Sequence, residues 1–227
     1  MASSGPAGEL TAWLKENLPA GWIEAVDADD DEALAKARAG FDEADFLRRI
    51  GAAGWAQPEW APDYGGRGLS GEDLLAVEEV KDRYLVPRSF NILGLGLAAP
   101  TLMQWATEEQ KRYFLTRMAQ GDWWCQLFSE PGNGSDPAGL STRAVRDGDE
   151  WVVNGQKVWT SGAQIAKWGM LIARTDPDQP KHRGITYFVC DMHAPGVEVR
   201  PLRQMTGDAE FNEVYFTDVR IPDDERL

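Results

Sequence analysis

The stretch Glu130-Pro131-Gly132-Asn133-Gly134-Ser135-Asp136 gathers two glycines, a proline, a hydroxyl and two acids into seven residues. Directly before it, Trp123 to Ser129 is apolar enough for a buried strand. A strand that breaks into such a loop leaves backbone N–H groups exposed at its end. Glycine lets a ligand approach that backbone without a Cβ in the way, and consecutive N–H groups in a turn form a nest suited to phosphate oxygens. Ser129 and Ser135 bracket the loop and add hydroxyl donors. The chemistry implied is anion binding. The same residue types also build ordinary surface turns, so composition alone leaves both readings open. Glu130 and Asp136 read as holders of the loop, because an acid in a Gly/Pro turn commonly accepts backbone N–H bonds. No residue is assigned as catalytic.

Few other residues offer chemistry. His182 and His193 are the only histidines; neither has a partner at metal-ligand spacing, so no metal site is assigned and both read as loop residues. Cys125 and Cys190 lie in apolar strand-like runs and read as buried free thiols. The formal charge is −14, from 37 acids and 23 bases, which argues against nucleic acid and anionic membrane as partners. Much of the excess lies in the first third, including Asp27, Asp30, Asp42 and Asp45, and reads as a solvated face. No apolar run reaches membrane-spanning length, and Met1 to Glu9 shows no secretory pattern. The expectation is a cytoplasmic protein without membrane insertion.

The elements that must position the loop fall into two textures. Before it the chain is helical. Leu10, Trp13, Leu14 and Leu18 mark one helix face, stopped by Pro19. Helices are also expected over residues 32–39, 42–50, 72–85 (stripe Leu74, Val77, Val80, Tyr84) and 91–105. Thr107-Glu108-Glu109-Gln110 reads as a capping box opening a further helix that ends at Gly121. From Trp123 onward short apolar runs alternate with turns, a strand pattern. A hairpin is expected around Asp147-Gly148-Asp149 and a second turn at Asn154-Gly155, with further strands at 168–173, 186–190, 197–201 and 211–219. The fold class expected is α+β by domain: an N-terminal all-α helical bundle, residues 1–122, then an antiparallel β-barrel or sandwich, residues 123–227.

Four further stretches stand in a fixed order around the loop. They are the Trp/Pro/Gly-rich run Trp55 to Gly68, the helix start Ala106-Thr107-Glu108-Glu109-Gln110-Lys111, the run Asn154-Gly155-Gln156-Lys157-Val158-Trp159-Thr160-Ser161-Gly162, and Asp218-Val219-Arg220-Ile221-Pro222. Together with Phe128-Ser129-Glu130-Pro131-Gly132-Asn133-Gly134-Ser135-Asp136, this order resembles the acyl-CoA dehydrogenase family over nearly the whole chain. The resemblance implies FAD as cofactor, with Gln126, Phe128 and Ser129 lining the flavin. Gln126 departs from the aromatic of some members, and Ser129 keeps a hydroxyl where threonine is commoner. Gly134 and Ser135 would meet the FAD pyrophosphate, with Ser135 also on the CoA side of the substrate. Trp159, Thr160 and Ser161 would form the second flavin wall, Trp159 by its flat indole face.

The resemblance further implies an acyl-CoA substrate, α,β-dehydrogenation to the 2,3-enoyl-CoA, and an electron-transfer flavoprotein as acceptor. Acyl-CoA oxidases and flavin monooxygenases share the fold and are the alternative within the enzyme class. In the family a third, helical domain supplies the carboxylate base, and a chain ending at Leu227 is expected to lack it. A non-catalytic partner subunit of a catalytic paralogue is the alternative in another class, and a homo-oligomer or a hetero-oligomer with a paralogue is expected.

Overall fold

The computed structural model describes residues 5–227; Met1 to Ser4, which open the stretch read for a secretory pattern, lie outside the described residues. The chain divides into two compact units, residues up to Phe90 with Arg112–Gly121, and Asn91–Lys111 with Asp122–Leu227.

The first unit is helical: α1 (Pro6–Asn17), α2 (Trp22–Asp27), α3 (Asp31–Arg38), α4 (Glu43–Ala52) and α5 (Gly71–Arg83). Leu10, Leu14 and Leu18 are buried on one face, as their spacing requires, and join Phe46, Ile50, Val77 and Tyr84 in one core. The short α2 was not evident from periodicity, yet Trp22, Ile23 and Ala25 are all buried on it. The acidic residues of this unit are not simply a solvated face. Asp30 and Asp42 cap α3 and α4, each accepting from a backbone N–H at 2.9 Å, and such caps are worth about 1 kcal/mol each. Asp45 pairs with Arg49 and Asp27 with Arg83, both at 2.8 Å.

The second unit opens with a π-helical turn, Gly94–Ala98, that runs into α6 (Ala99–Trp105). The helix expected over 91–105 is therefore irregular at Gly94 and Gly96; Gly94 lies against the Asn91 side chain, where a Cβ would collide. Helix α7 (Glu108–Ala119) follows, and its residues from Arg112 onward fall in the first unit. Seven strands then form one sheet: β1 (Trp124–Leu127), β2 (Arg143–Asp147), β3 (Glu150–Ser161), β4 (Trp168–Arg174), β5 (Ile185–Asp191), β6 (Val197–Leu202) and β7 (Phe211–Pro222). The strand order is β1-β4-β2-β3-β7-β6, with β5 paired to β4. Cys125, Leu127, Val153, Leu171, Phe188 and Val214 form its core; both cysteines are free and buried.

The fold is thus α+β, helices followed by a sheet that is mostly antiparallel. It departs from the all-antiparallel expectation at β4, which runs parallel to β1 and, through the pair Arg143 and Arg174, to β2. The chain reaches β4 from β1 only after a long excursion through the β2–β3 hairpin, and such a crossover is what a parallel pair needs. The turn expected at Asn154-Gly155 is instead an irregularity inside β3, where the register against β7 shifts between Val153 and Gly155. Gly155 lies against Thr142 with no room for a Cβ, so the glycine serves close approach and the strand continues. Among the described residues no helix is long and apolar enough to cross a membrane.

The capping box is present: Gln110 Oε1 accepts from Thr107 N at 2.7 Å and Thr107 Oγ1 accepts from Gln110 N at 3.2 Å. Gln110 also reaches the chain's last residues, its Nε2 donating to Asp224 O at 2.6 Å and Arg226 O at 3.1 Å. Gln110→Glu keeps the acceptor for Thr107 and sets a carboxylate against two carbonyls. Urea unfolding is expected to show a loss of about 1–3 kcal/mol; an unchanged midpoint would dismiss the amide's structural role.

Candidate functional site

The Gly-rich loop is fixed at its root by Glu130, which is 4% exposed. Its Oε2 accepts from the Ser141 N–H at 2.6 Å and the Ser141 hydroxyl at 2.7 Å. Its Oε1 accepts from the Thr142 N–H at 2.9 Å and from Lys157 Nζ at 2.9 Å. Burial alone would raise the Glu130 pKa, but the donors from Thr142, Lys157 and Ser141 outweigh it and hold the carboxyl down at about 2. A short backbone pairing of Glu130 with Asn133, at 2.8 and 3.0 Å, closes the turn. Glu130 is therefore the holder of the loop, as its sequence context suggests.

Lys157, on β3, is fully buried. Beside Glu130 it donates to Phe128 O at 3.2 Å, and the neighbouring Val158 N–H donates to Ser129 O at 2.9 Å. Burial lowers the lysine pKa, and the Glu130 carboxylate partly offsets this. Sequence reading included Lys157 in a motif but gave it no role. The available signal was a lysine inside an otherwise uncharged strand run, where burial demands an acidic partner.

The Lys157–Val158 bond pattern coincides with a bulge. Lys157 pairs with Val214 and Thr160 with Asn212, so three steps on β3 oppose two on β7. An extra residue in one strand bends it and re-aims side chains. Trp159, inside the bulge, has φ 59° and is 62% exposed. Left-handed backbone at a bulky residue is a strained state worth about 1–3 kcal/mol. The indole meets Phe211 edge-on at 6.1 Å between centroids.

The residues singled out by sequence divide as follows. Gln126 is half-buried and alternates with the core residues Cys125 and Leu127, so it faces away from the core; Phe128 continues that alternation. Ser129, Gly134 and Ser135 lie along the loop, Gly134 and Ser135 exposed. A Cβ at Gly134 would meet nothing within 4 Å. Trp159 and Ser161 are exposed on the outer face. Thr160 does not join them: the bulge puts it on the same side as Lys157 and Val214, buried, with its Oγ1 lacking a hydrogen-bond partner. Its carbonyl accepts from Asn212 Nδ2 at 2.9 Å, so it supports the bulge from behind. Asp136 accepts from the Ala138 N–H at 3.1 Å and pairs with Lys181 at 2.7 Å.

Exposed among these residues are a flat indole at Trp159, the hydroxyls of Ser135 and Ser161, and a glycine with free space at Gly134, residue types that suit a planar ring system with an anionic arm. The buried Thr160 hydroxyl, next in sequence to Trp159, has no hydrogen-bond partner among the described residues. These residues fit a dinucleotide cofactor with a fused aromatic ring. Glu130, buried and held by four donors, is not available as a proton acceptor, and Asp136 is occupied by the Ala138 N–H and Lys181.

Breaking the buried pair from one side leaves a bare charge, which costs about 3–5 kcal/mol. Glu130→Gln is expected to lose that much in chemical denaturation, and Glu130→Gln combined with Lys157→Met to recover most of it. A double variant no more stable than the single one would contradict the pairing. The pH dependence follows from the lowered carboxyl: folded at about 2 against about 4.3 unfolded, it stabilises fully above the unfolded range. That contribution is lost as pH falls from about 4 towards 2. Acid titration of stability should show this slope in the native chain and not in Glu130→Gln; the same slope in both would contradict the assignment.

Comparison with known proteins finds matches over most of the chain. The model described as "Acyl-CoA dehydrogenase, middle domain" matches residues 125–219, and "Acyl-CoA dehydrogenase, N-terminal domain" matches residues 23–122. Acyl-CoA dehydrogenase IpdE1 of Mycobacterium tuberculosis is 41% identical over 218 residues, 93% of this chain and 55% of the relative. Acyl-CoA dehydrogenase FadE34 of the same organism is 49% identical over 172 residues, 75% of this chain and 24% of the relative. The crystal structure of the ChsE4-ChsE5 complex from M. tuberculosis matches 97% of this chain and 54% of that chain, with TM-score 0.66 and 35% identity. The Tcur3481-Tcur3483 steroid ACAD matches 97% of this chain and 55% of that one, with TM-score 0.67 and 33% identity. The chain spans about half the length of IpdE1 and about a quarter of FadE34.

Proposed function

Because the chain belongs to the acyl-CoA dehydrogenase family, we propose that its Gly-rich loop and the Trp159 bulge form the flavin seat of an enzyme that dehydrogenates an acyl-CoA thioester. The single observation that carries this reading is Trp159: a strained, exposed indole two residues along β3 from Lys157, whose buried ion pair with Glu130 roots the Gly-rich loop. FAD, when bound, supplies the hydride acceptor. Trp159 offers one flat wall, and Gln126 and Phe128 the adjoining edge. Ser129 and Ser161 hold hydroxyl donors where charge develops on the ring system. Gly134 and Ser135 present backbone and hydroxyl to phosphate oxygens, Ser135 also to the CoA side of the substrate. Thr160, expected among the flavin contacts, acts through the shape of the bulge.

Removal of the α-proton needs a carboxylate of matched pKa near the substrate carbon. With Glu130 and Asp136 both occupied, we assign that role to a group outside this loop, and electron transfer onward to an electron-transfer flavoprotein. A second reading is favoured by the solved relatives, the ChsE4-ChsE5 complex and the Tcur3481-Tcur3483 steroid ACAD. On this reading the chain works as one subunit of a hetero-oligomer with a paralogue, the partner completing the site.

Two substitutions separate ligand effects from folding effects. Trp159→Gly removes the ring and relieves a positive φ that glycine adopts freely. It is expected to leave thermal stability undiminished while weakening FAD retention at least as much as loss of a buried aromatic contact, about 3 kcal/mol. Gly134→Val fits the folded chain, since its Cβ meets open space, yet is expected to obstruct FAD or acyl-CoA. FAD titration of the folded variants in the full-length context checks both. Flavin occupancy equal to wild type in the two variants would overturn the flavin seat.

A further inference from the structure

The far side of the Gly-rich loop is fixed by a different residue. Arg174, at the end of β4, is half-buried, and its guanidinium is spent on backbone carbonyls. Nε donates to Leu140 O at 3.3 Å, and Nη2 donates to Ala138 O at 2.8 Å and to Lys181 O at 3.1 Å. Two of those carbonyls belong to the descending side of the Gly-rich loop. The third belongs to the β4–β5 connection, residues 175–184, whose tip carries Lys181, His182 and Arg183. Outside the fork, Lys181 Nζ pairs with Asp136 Oδ2 at 2.7 Å, an exposed contact of the kind worth little by itself. Gly184 admits no Cβ, because one would collide with Asp176 O and approach Arg174 Nη1 at 3.2 Å.

We infer that Arg174 is a positioning residue that locks the Gly-rich loop and the 175–184 connection into one unit, so that the position of the basic tip is set by the same group that sets the ligand loop. Several neutral carbonyls converge on one cation, and a planar fork of fixed N–H directions satisfies them together where a point charge on a flexible stem cannot. Glu130 holds the ascending side of the loop and Arg174 the descending side. The loop is clamped at both ends while Gly134 and Ser135 between them stay open. The coupling stands on these contacts alone; its consequence for ligand binding rests on the flavin-seat reading above.

The test uses hydrogen exchange on the intact chain, with Arg174→Met and Arg174→Lys. The reporting amides are bonded in the native structure: Gly139 and Leu140 in one loop, Thr175 and Arg183 in the other. Arg174→Met is expected to raise exchange in both loops together, on the order of ten-fold, with the amides of β3 and β7 unaffected. Arg174→Lys should recover part of the protection, since an ammonium reaches some of the carbonyls. Loosening of one loop without the other, or a lysine variant as fully protected as wild type, would overturn the coupling. FAD and acyl-CoA titrations of the same variants form a separate arm. If exchange rises in both loops and ligand affinity does not fall, the coupling stands and the flavin-seat reading fails.

Discussion

Lys157 and Glu130 form an ion pair with both side chains out of water, at 0% and 2% exposure, and the arrangement of the loop and its facing strand depends on it. A buried ammonium and a buried carboxylate are each costly alone. Here the cost is offset by geometry: the carboxylate accepts from two backbone N–H groups and a hydroxyl as well as from the lysine, and the lysine also donates to Phe128 O. A well-packed apolar pair could give similar stability. What the charged pair adds is direction, because it is satisfied in one register of the loop against β3.

That register has a consequence on the opposite face. The Val158 N–H donates to Ser129 O, which takes up one backbone donor of β3 where the register against β7 shifts between Lys157 and Thr160. The extra residue turns Thr160 inward and Trp159 outward with left-handed backbone. Strain of this kind persists only where neighbouring contacts over-determine it, and the neighbouring contact is the ion pair. The exposed indole and the root of the Gly-rich loop thus both lie within two residues of the buried pair's lysine or carboxylate.

Much of this was legible in the sequence. Helix faces such as Leu10, Leu14 and Leu18, the Thr107–Gln110 capping box and the loop-holding role of Glu130 follow from local rules that act over a few residues. What was not legible depends on partners distant in the chain. The resemblance groups Trp159, Thr160 and Ser161 as one wall, whereas Thr160 packs on the buried side and Trp159 and Ser161 are exposed. The Asn154-Gly155 pair has the composition of a turn, yet the close approach of Thr142 makes it part of a strand. Lys157 reads as one letter of a motif until its acidic partner, placed by the fold, shows why a charge stands there. The parallel pairing of β1 with β4 is likewise set by the path of the chain between them.

The central claim is that the buried pair presents Trp159 to a planar cofactor. Incorporating 5-fluorotryptophan and following the fluorine resonances during an FAD titration tests it directly, the Trp159 signal being assigned by its loss in Trp159→Phe. The account predicts that this resonance moves on binding while those of Trp22 and Trp55, buried in the helical core, stay in place. A Trp159 resonance unmoved at saturating FAD would contradict it.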